Sequence, residues 1–222
     1  MIFLVLVYLA IWGLKKEIDM SFNFLWVHRE KPAVFSKRWF VVWLKRAFYT
    51  KRLIVIFVKN YIIVRKGGEI SNMVLFGDVE LNGDCSNLKV GSESFLGTGT
   101  HLALHDRIVI GKNVVLNNNV CVFTASHSLS DQKWRMYSKP VYIGDYAWVA
   151  SGATILPGVR IGKGAVVGAG SVVRSDVPDY GIAIGNPAEV LKGRRVEGLN
   201  YSPVALSAPF EAWIGRNKYE DF

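Results

Sequence analysis

The sequence predicts a mainly β solenoid preceded by a helical, basic arm. Three observations carry this reading. An aliphatic residue returns every sixth position, a compact residue follows it four places later, and glycine crowds the same stretch. The aliphatic run from the middle of the chain is Ile143, Val149, Ile155, Ile161, Val167 and Val173. The compact residues are Ala147, Ala153, Val159, Ala165 and Ser171, and Gly152, Gly158, Gly164 and Gly170 take the third place. A six-residue period fits neither a 3.6-residue helix nor an alternating strand. It fits short strands joined by tight turns, with each aliphatic stacked on its copy one coil away and each compact residue at a corner. Stacking then buries a continuous core that no single repeat could form, and glycine permits the turn angles.

The period extends upstream. Ile110, Leu116 and Val122 share one register, and Val90, Leu96 and Leu102 form an earlier run offset by two residues, so a small insertion lies within Ala103 to Val109. A longer interruption follows Val122, where the chain reads FTASHSLSDQKWRMYSKP between Phe123 and Pro140. That segment is polar and punctuated, and it is expected to leave the solenoid as a loop. Repeat proteins tend to place such insertions on a working face. After Val173 the repeat ends. A turn at Gly185-Asn186-Pro187 followed by a helix-forming stretch predicts a cap, and a short helix is expected near Phe210 to Arg216 in the tail.

Charge and composition divide the chain near Gly67. The formal net charge is +9, yet residues 1–66 hold 13 of the 27 Lys and Arg and three acids, so the remainder is close to neutral. The same 66 residues carry 14 of the 28 aromatics, whereas 19 of the 21 glycines fall between Gly67 and Gly198. Three regions follow: an apolar start and basic aromatic arm (1–66), the β-helix (67–184, with the excursion at 123–140) and a C-terminal cap and tail (185–222). Met1 to Leu14 is almost continuously apolar but shorter than a spanning helix requires, and it lacks a signal-peptide pattern. Cys85 and Cys121 form no CxxC pair, which suits a reducing, cytoplasmic setting.

From Lys37 to Arg52 the arm interleaves Lys37-Arg38, Lys45-Arg46 and Lys51-Arg52 with Trp39, Phe40, Trp43, Phe48 and Tyr49. A helix there would have an aromatic side and a basic side, the pattern of a membrane-surface segment. Peripheral contact with the cytoplasmic face of a bacterial inner membrane is the expectation. No nucleic-acid recognition motif accompanies the charge, and nucleic acid is not an expected partner.

The repeat region resembles the left-handed β-helix acyltransferases. The stretch from Ala125 to Lys192 is similar to the galactoside, maltose, nodulation-factor and exopolysaccharide O-acetyltransferases. The matching blocks are Thr124-Ala-Ser-His127, Pro140-Val-Tyr-Ile-Gly-Asp145, Ala147-Trp-Val149, Ile155-Leu-Pro-Gly-Val-Arg-Ile-Gly162, Val167-Gly-Ala-Gly-Ser-Val-Val173 and Gly185-Asn-Pro187. They cover about half the chain. The resemblance implies a left-handed parallel β-helix of hexapeptide repeats, a homotrimer with sites between subunits, and direct acetyl transfer from acetyl-CoA to a sugar or glycan hydroxyl.

His127 is then the expected general base, since a neutral imidazole is well suited to deprotonating an attacking hydroxyl. The resemblance places the donor on Trp148, on the backbone N–H of Ser151 and along Ala169, with Arg174 and Lys192 toward the phosphates. Arg174-Ser175 stands where the family often has Thr-Lys, and Glu189 where a basic residue is common. On the acceptor side the candidates are His105 and Asp106, in the two-residue insertion, and Trp134 as a stacking platform. Cys121 is read as structural rather than as a nucleophile. A metal site is not expected, because His28, His101, His105 and His127 lack the paired spacing of histidine-ligated β-helix enzymes. A non-catalytic β-helix scaffold and an acyltransferase with a small non-sugar acceptor are the alternative readings.

Overall fold

A computed structural model describes residues 22–205 and 207–215 of the chain. Two compact units form. One contains the chain up to Ile62 together with the chain from Val204 onward, and the other is Ile63–Pro203.

The second unit is a left-handed parallel β-helix, as the six-residue period predicts. Its first face stacks Glu69–Ile70, Leu88–Val90, Ile108–Ile110, Val141–Ile143 and Arg160–Ile161. The second face stacks Leu75–Phe76, Phe95–Leu96, Val115–Leu116, Trp148–Val149, Val166–Val167 and Gly181–Gly185. The third stacks Glu80–Gly83, His101–Leu104, Cys121–Phe123, Thr154–Ile155 and Val172–Val173. The recurring aliphatics lie in register: Ile143 pairs with Ile110 and Ile161, Val149 with Leu116 and Val167, and Ile155 with Val122 and Val173. All of them are buried, and so are the corner residues Ala147, Ala153, Val159, Ala165 and Ser171.

Coil length explains the upstream offset. Ile143 pairs with Ile161, eighteen residues on, whereas Ile70, Val90 and Ile110 are paired partners spaced by twenty. Each upstream coil therefore holds two extra residues. One pair falls within Leu104–Arg107, as expected. The other, not visible as a break in the sequence, falls beside the 3₁₀ turn Cys85–Asn87. The two insertions support each other, with Gly83 paired to Leu104 and the Asn87 side-chain amide donating to the Leu104 carbonyl at 3.1 Å.

Glycine has a second use beyond turn angles. At the corner between the first and second faces, Gly91, Gly111, Gly144 and Gly162 follow the inward aliphatic directly. A Cβ on any of them would lie 2.4–2.6 Å from an atom of the adjacent coil. Coils about one strand spacing apart, roughly 4.8 Å, leave no room for a side chain there.

Two expectations change. The segment after Gly185 is not a helix: Ala188–Arg194 turns back as an antiparallel strand on Gly181–Gly185. The exposed edge of the last rung offers unpaired backbone groups, and pairing them outweighs the helix propensity of the segment. The excursion is also not an open loop. Ala125–His127 and Met136–Ser138 pair as an antiparallel hairpin. Beyond the last strand the chain runs back along one corner, where Arg195 donates to the Tyr146 carbonyl at 2.9 Å and to the Tyr201 hydroxyl at 3.1 Å.

The other unit contains a helical segment over 22–28 (α1), the helix Lys37–Arg65 (α2) and the helix Ala208–Ile214 (α3). The helix expected over Lys37 to Arg52 thus continues to Arg65, with its last residues in the β-helix unit. Arg46 is 3% exposed and donates to the carbonyls of Glu30, Ala212 and Trp213. The last two are C-terminal carbonyls of α3 that have no partner within their own helix. Burial is the main influence pulling the Arg46 guanidinium below its ordinary pKa, followed by the nearby charge of Arg29. The apolar start at 1–14 and the end of the tail lie outside the described residues.

Candidate active site

The interruption after Phe123 emerges where the third face turns into the first. Its hairpin carries His127 near one strand end and Trp134 in the turn region. His127 Nδ1 lies 2.7 Å from the backbone oxygen of Trp134. A carbonyl only accepts, so Nδ1 carries the proton and the Nε2 lone pair is left for an incoming hydroxyl. The Trp134 indole stacks on the imidazole at 4.6 Å between centroids and 8° between planes. Trp134 holds a positive φ of 51°, a conformation that non-glycine residues rarely adopt. Asp131 braces the turn: its carboxylate accepts from Arg135 Nε at 2.7 Å and from the Lys133 N–H at 3.0 Å. The Arg135 guanidinium is the main reason its pKa lies below the usual carboxylate value.

Asp106 Oδ1 accepts from the Arg107 N–H at 2.7 Å, and the group that orients the imidazole is the Trp134 carbonyl. One face of the Trp134 ring is taken by His127, so only its other face, on a side chain 63% exposed, is open to a sugar.

Thr124 links the two insertions, and sequence reasoning gave it no role. Fully buried, its hydroxyl donates to the Ala103 carbonyl and accepts from the Asp106 N–H at 2.9 Å. Its own carbonyl accepts from the Lys139 N–H at 2.8 Å, at the far end of the hairpin. The signal was its position, three residues before His127 and opposite the upstream insertion. Thr124→Val is expected to cost about 1–3 kcal/mol, because it strands a buried donor and a buried acceptor. It should also lower kcat/KM for the acceptor with coenzyme A affinity unchanged. A thermal melt together with steady-state kinetics checks both.

A second group lies at the corner between the second and third faces. Trp148 is 41% exposed on the second face. Ser151 and Ala169 occupy the same corner position in successive coils, tied by the Gly170 N–H donating to the Ser151 carbonyl at 3.0 Å. Ser151 is exposed, and its N–H makes no hydrogen bond among the described residues. A backbone donor without a partner is able to meet a thioester oxygen. Arg174 is exposed at the third-to-first corner, and Lys192 is exposed on the terminal strand.

The structure therefore gathers His105, Asp106, Thr124, His127 and Trp134 at one corner, and Trp148, Ser151 and Ala169 at another. The two corners are opposite ends of third-face strands, six positions apart along a coil, the spacing of Ser151 and Pro157. Cys121 is half-buried and free, and Cys85 is buried and free. Among the described residues no cluster of three or more His, Cys, Asp or Glu side chains is placed to hold a metal.

Residues 140–175 match a family profile described as bacterial transferase hexapeptide (six repeats). That match shows the hexapeptide repeat over those residues. The chain is 40% identical over 109 residues to the galactoside O-acetyltransferase of Lactococcus lactis, a match covering 45% of this chain and 53% of that protein. It spans about half the length of the curated relatives it matches. Among solved structures, a maltose O-acetyltransferase from Clostridium difficile aligns with a TM-score of 0.56 and 26% identity, over 82% of this chain and 89% of that one. A hexapeptide-repeat acetyltransferase from Vibrio cholerae, solved with acetyl-CoA, aligns with a TM-score of 0.54 over 83% of this chain and 99% of that one. Its 23% identity speaks to the fold alone.

Proposed function

We propose that the chain is an acetyl-CoA-dependent O-acetyltransferase acting on a sugar hydroxyl, with His127 as general base. The observation that carries this is the His127 tautomer: Nδ1–H is committed to the Trp134 carbonyl, which leaves Nε2 basic at the one long interruption of the repeat. The resemblance to a galactoside O-acetyltransferase supports the substrate class.

Nε2 takes the proton of the acceptor hydroxyl as its oxygen attacks the thioester carbonyl carbon. The Ser151 N–H meets the charge that builds on the carbonyl oxygen. The C–S bond then breaks, and the imidazolium returns its proton to the leaving sulfur, so no acetyl-enzyme forms. Trp148 and Ala169 line the approach of the pantetheine arm, and Arg174 and Lys192 are the cations available to the phosphates. His105, Asp106 and the open face of Trp134 receive the sugar. Capsule, exopolysaccharide and O-antigen glycans, made on the cytoplasmic side of a membrane, form the acceptor class that the basic arm favours.

The reading includes a homotrimer with sites between subunits. Base and oxyanion donor must both come within about 3 Å of the reacting atoms, whereas one chain holds them at opposite strand ends. Closed cyclic symmetry places one subunit's hairpin against another's donor corner.

Turnover of acetyl-CoA against defined oligosaccharides, nucleotide sugars and lipid-linked glycans tests the activity, and mixed subunits test the assembly. Ser151→Pro removes only the N–H, because Pro157 already occupies the matching corner position one face later. Co-refolded His127→Ala and Ser151→Pro chains are each inactive alone and should regain activity together. No recovery in verified mixed trimers would place base and donor on one chain.

A further inference from the structure

We propose that the outer face of α2 docks on an anionic lipid surface. This goes beyond the acetyl-transfer reading and does not rest on it. α2 has two apolar faces. The inner one buries Val42, Leu53, Ile56 and Phe57 beside Arg46. The outer one presents Val41, Leu44, Phe48, Val55, Val58 and Ile62, three, four or seven residues apart, and the place skipped in the seven-residue gap is filled by Lys51. Leu44 is 72% exposed and Phe48 77%. A surface helix ordinarily turns polar residues outward, and a contiguous apolar stripe marks a binding face.

The charge identifies the occupant. The 29 residues of α2 include eight Lys and Arg and no Asp or Glu. Arg38, Lys45, Arg52 and Lys59 recur every seven residues, which at about 100° per residue forms a row along one edge of the outer stripe. Arg38 pairs with Glu30, and Lys45 lies 3.7 Å from Glu211. Those two carboxylates are the only acids within 22–62 and 207–215, against the eight Lys and Arg of α2, so these segments carry an excess of positive charge. A second copy of this face would set cations against cations. An anionic bilayer surface meets both demands, taking the apolar stripe at the headgroup boundary and pairing the row with phosphates. The stripe from Val41 to Ile62 runs roughly 30 Å at ~1.5 Å per residue, a length suited to lying flat. Among the described residues no helix is long and apolar enough to cross a membrane.

The test is co-sedimentation of the full chain with phosphatidylglycerol–phosphatidylcholine vesicles, phosphatidylcholine vesicles as the comparison, at low and high salt. Binding is expected to the anionic vesicles and to weaken with salt. Leu44→Asp with Phe48→Asp should lower partition at least about tenfold. Lys51→Ala with Arg52→Ala should lower it roughly 25-fold, about fivefold per cation. All four residues are exposed, and circular dichroism confirms that α2 persists. Absence of binding by the wild type, or undiminished binding by both variants, overturns the proposal. So does a change of oligomeric state in the aspartate variant without lipid, measured by sedimentation velocity, because the stripe would then join copies of the chain.

Discussion

His127→Ala is expected to lower kcat by about 10²–10⁴-fold, the usual contribution of a positioned general base, with coenzyme A affinity unchanged. The split follows from the geometry. His127 sits on the excursion hairpin at one corner, whereas Trp148, Ser151 and Ala169 lie at another. Removing the imidazole therefore leaves the corner of Trp148, Ser151 and Ala169 intact. The Nδ1–H bond to the Trp134 carbonyl adds a sharper expectation. His127→Asn can still donate a hydrogen bond but has no basic nitrogen, so it should be as slow as the alanine variant. Steady-state kinetics beside calorimetric titration of coenzyme A separates the two effects. An unchanged kcat would remove His127 from the mechanism, and loss of coenzyme A binding would place the hairpin in the donor site instead.

Arg46→Met should destabilise the helical unit by about 3 kcal/mol, although methionine fills much of the same volume. The guanidinium caps the C-terminus of α3 through the Ala212 and Trp213 carbonyls and holds the chain at Glu30 through a third. Hydrogen bonds from a charged donor are worth about 1.5–3 kcal/mol each, and a cation at a helix C-terminus gains further from the helix dipole. The desolvation cost of the buried charge offsets part of this sum, which sets the net near 3 rather than higher. Arg46→Lys should rescue little, because one ammonium cannot reach three carbonyls from a single position. Hydrogen exchange localises the effect: protection should fall at 29–31 and 212–215 while the β-helix amides keep theirs. Unchanged protection would mean that water satisfies the three carbonyls equally well.

The repeat was legible because each inward aliphatic pairs with a copy of itself, so the period of the chain is the period of the core. Ile143, Val149 and Ile155 could be assigned to three faces without coordinates. The first of the two upstream insertions was not legible, since Cys85 and Leu88 continue an apolar pattern through it. The strand Ala188–Arg194 was missed for a different reason. Its segment has ordinary helix propensity, and the unpaired edge of the last rung, which overrides that preference, exists only after the solenoid is built.

At the site, residue identity indicated chemistry and the fold supplied the partners. His127 was recognisable from its block and its place in the interruption. That its imidazole would be oriented by the Trp134 backbone depended on the hairpin, which forms by pairing residues nine to thirteen positions apart. Thr124 gained its role in the same way, through Asp106 eighteen residues upstream.

The sequence alone determined that this chain is a hexapeptide solenoid with a basic arm and a histidine in its one long break. It could do so because those features are periodic or local. The tertiary structure decided which groups meet that histidine, that His127 and Ser151 stand at different corners, and that α2 turns a second apolar face outward. Those outcomes depend on contacts between distant residues, and such contacts leave no period in the chain.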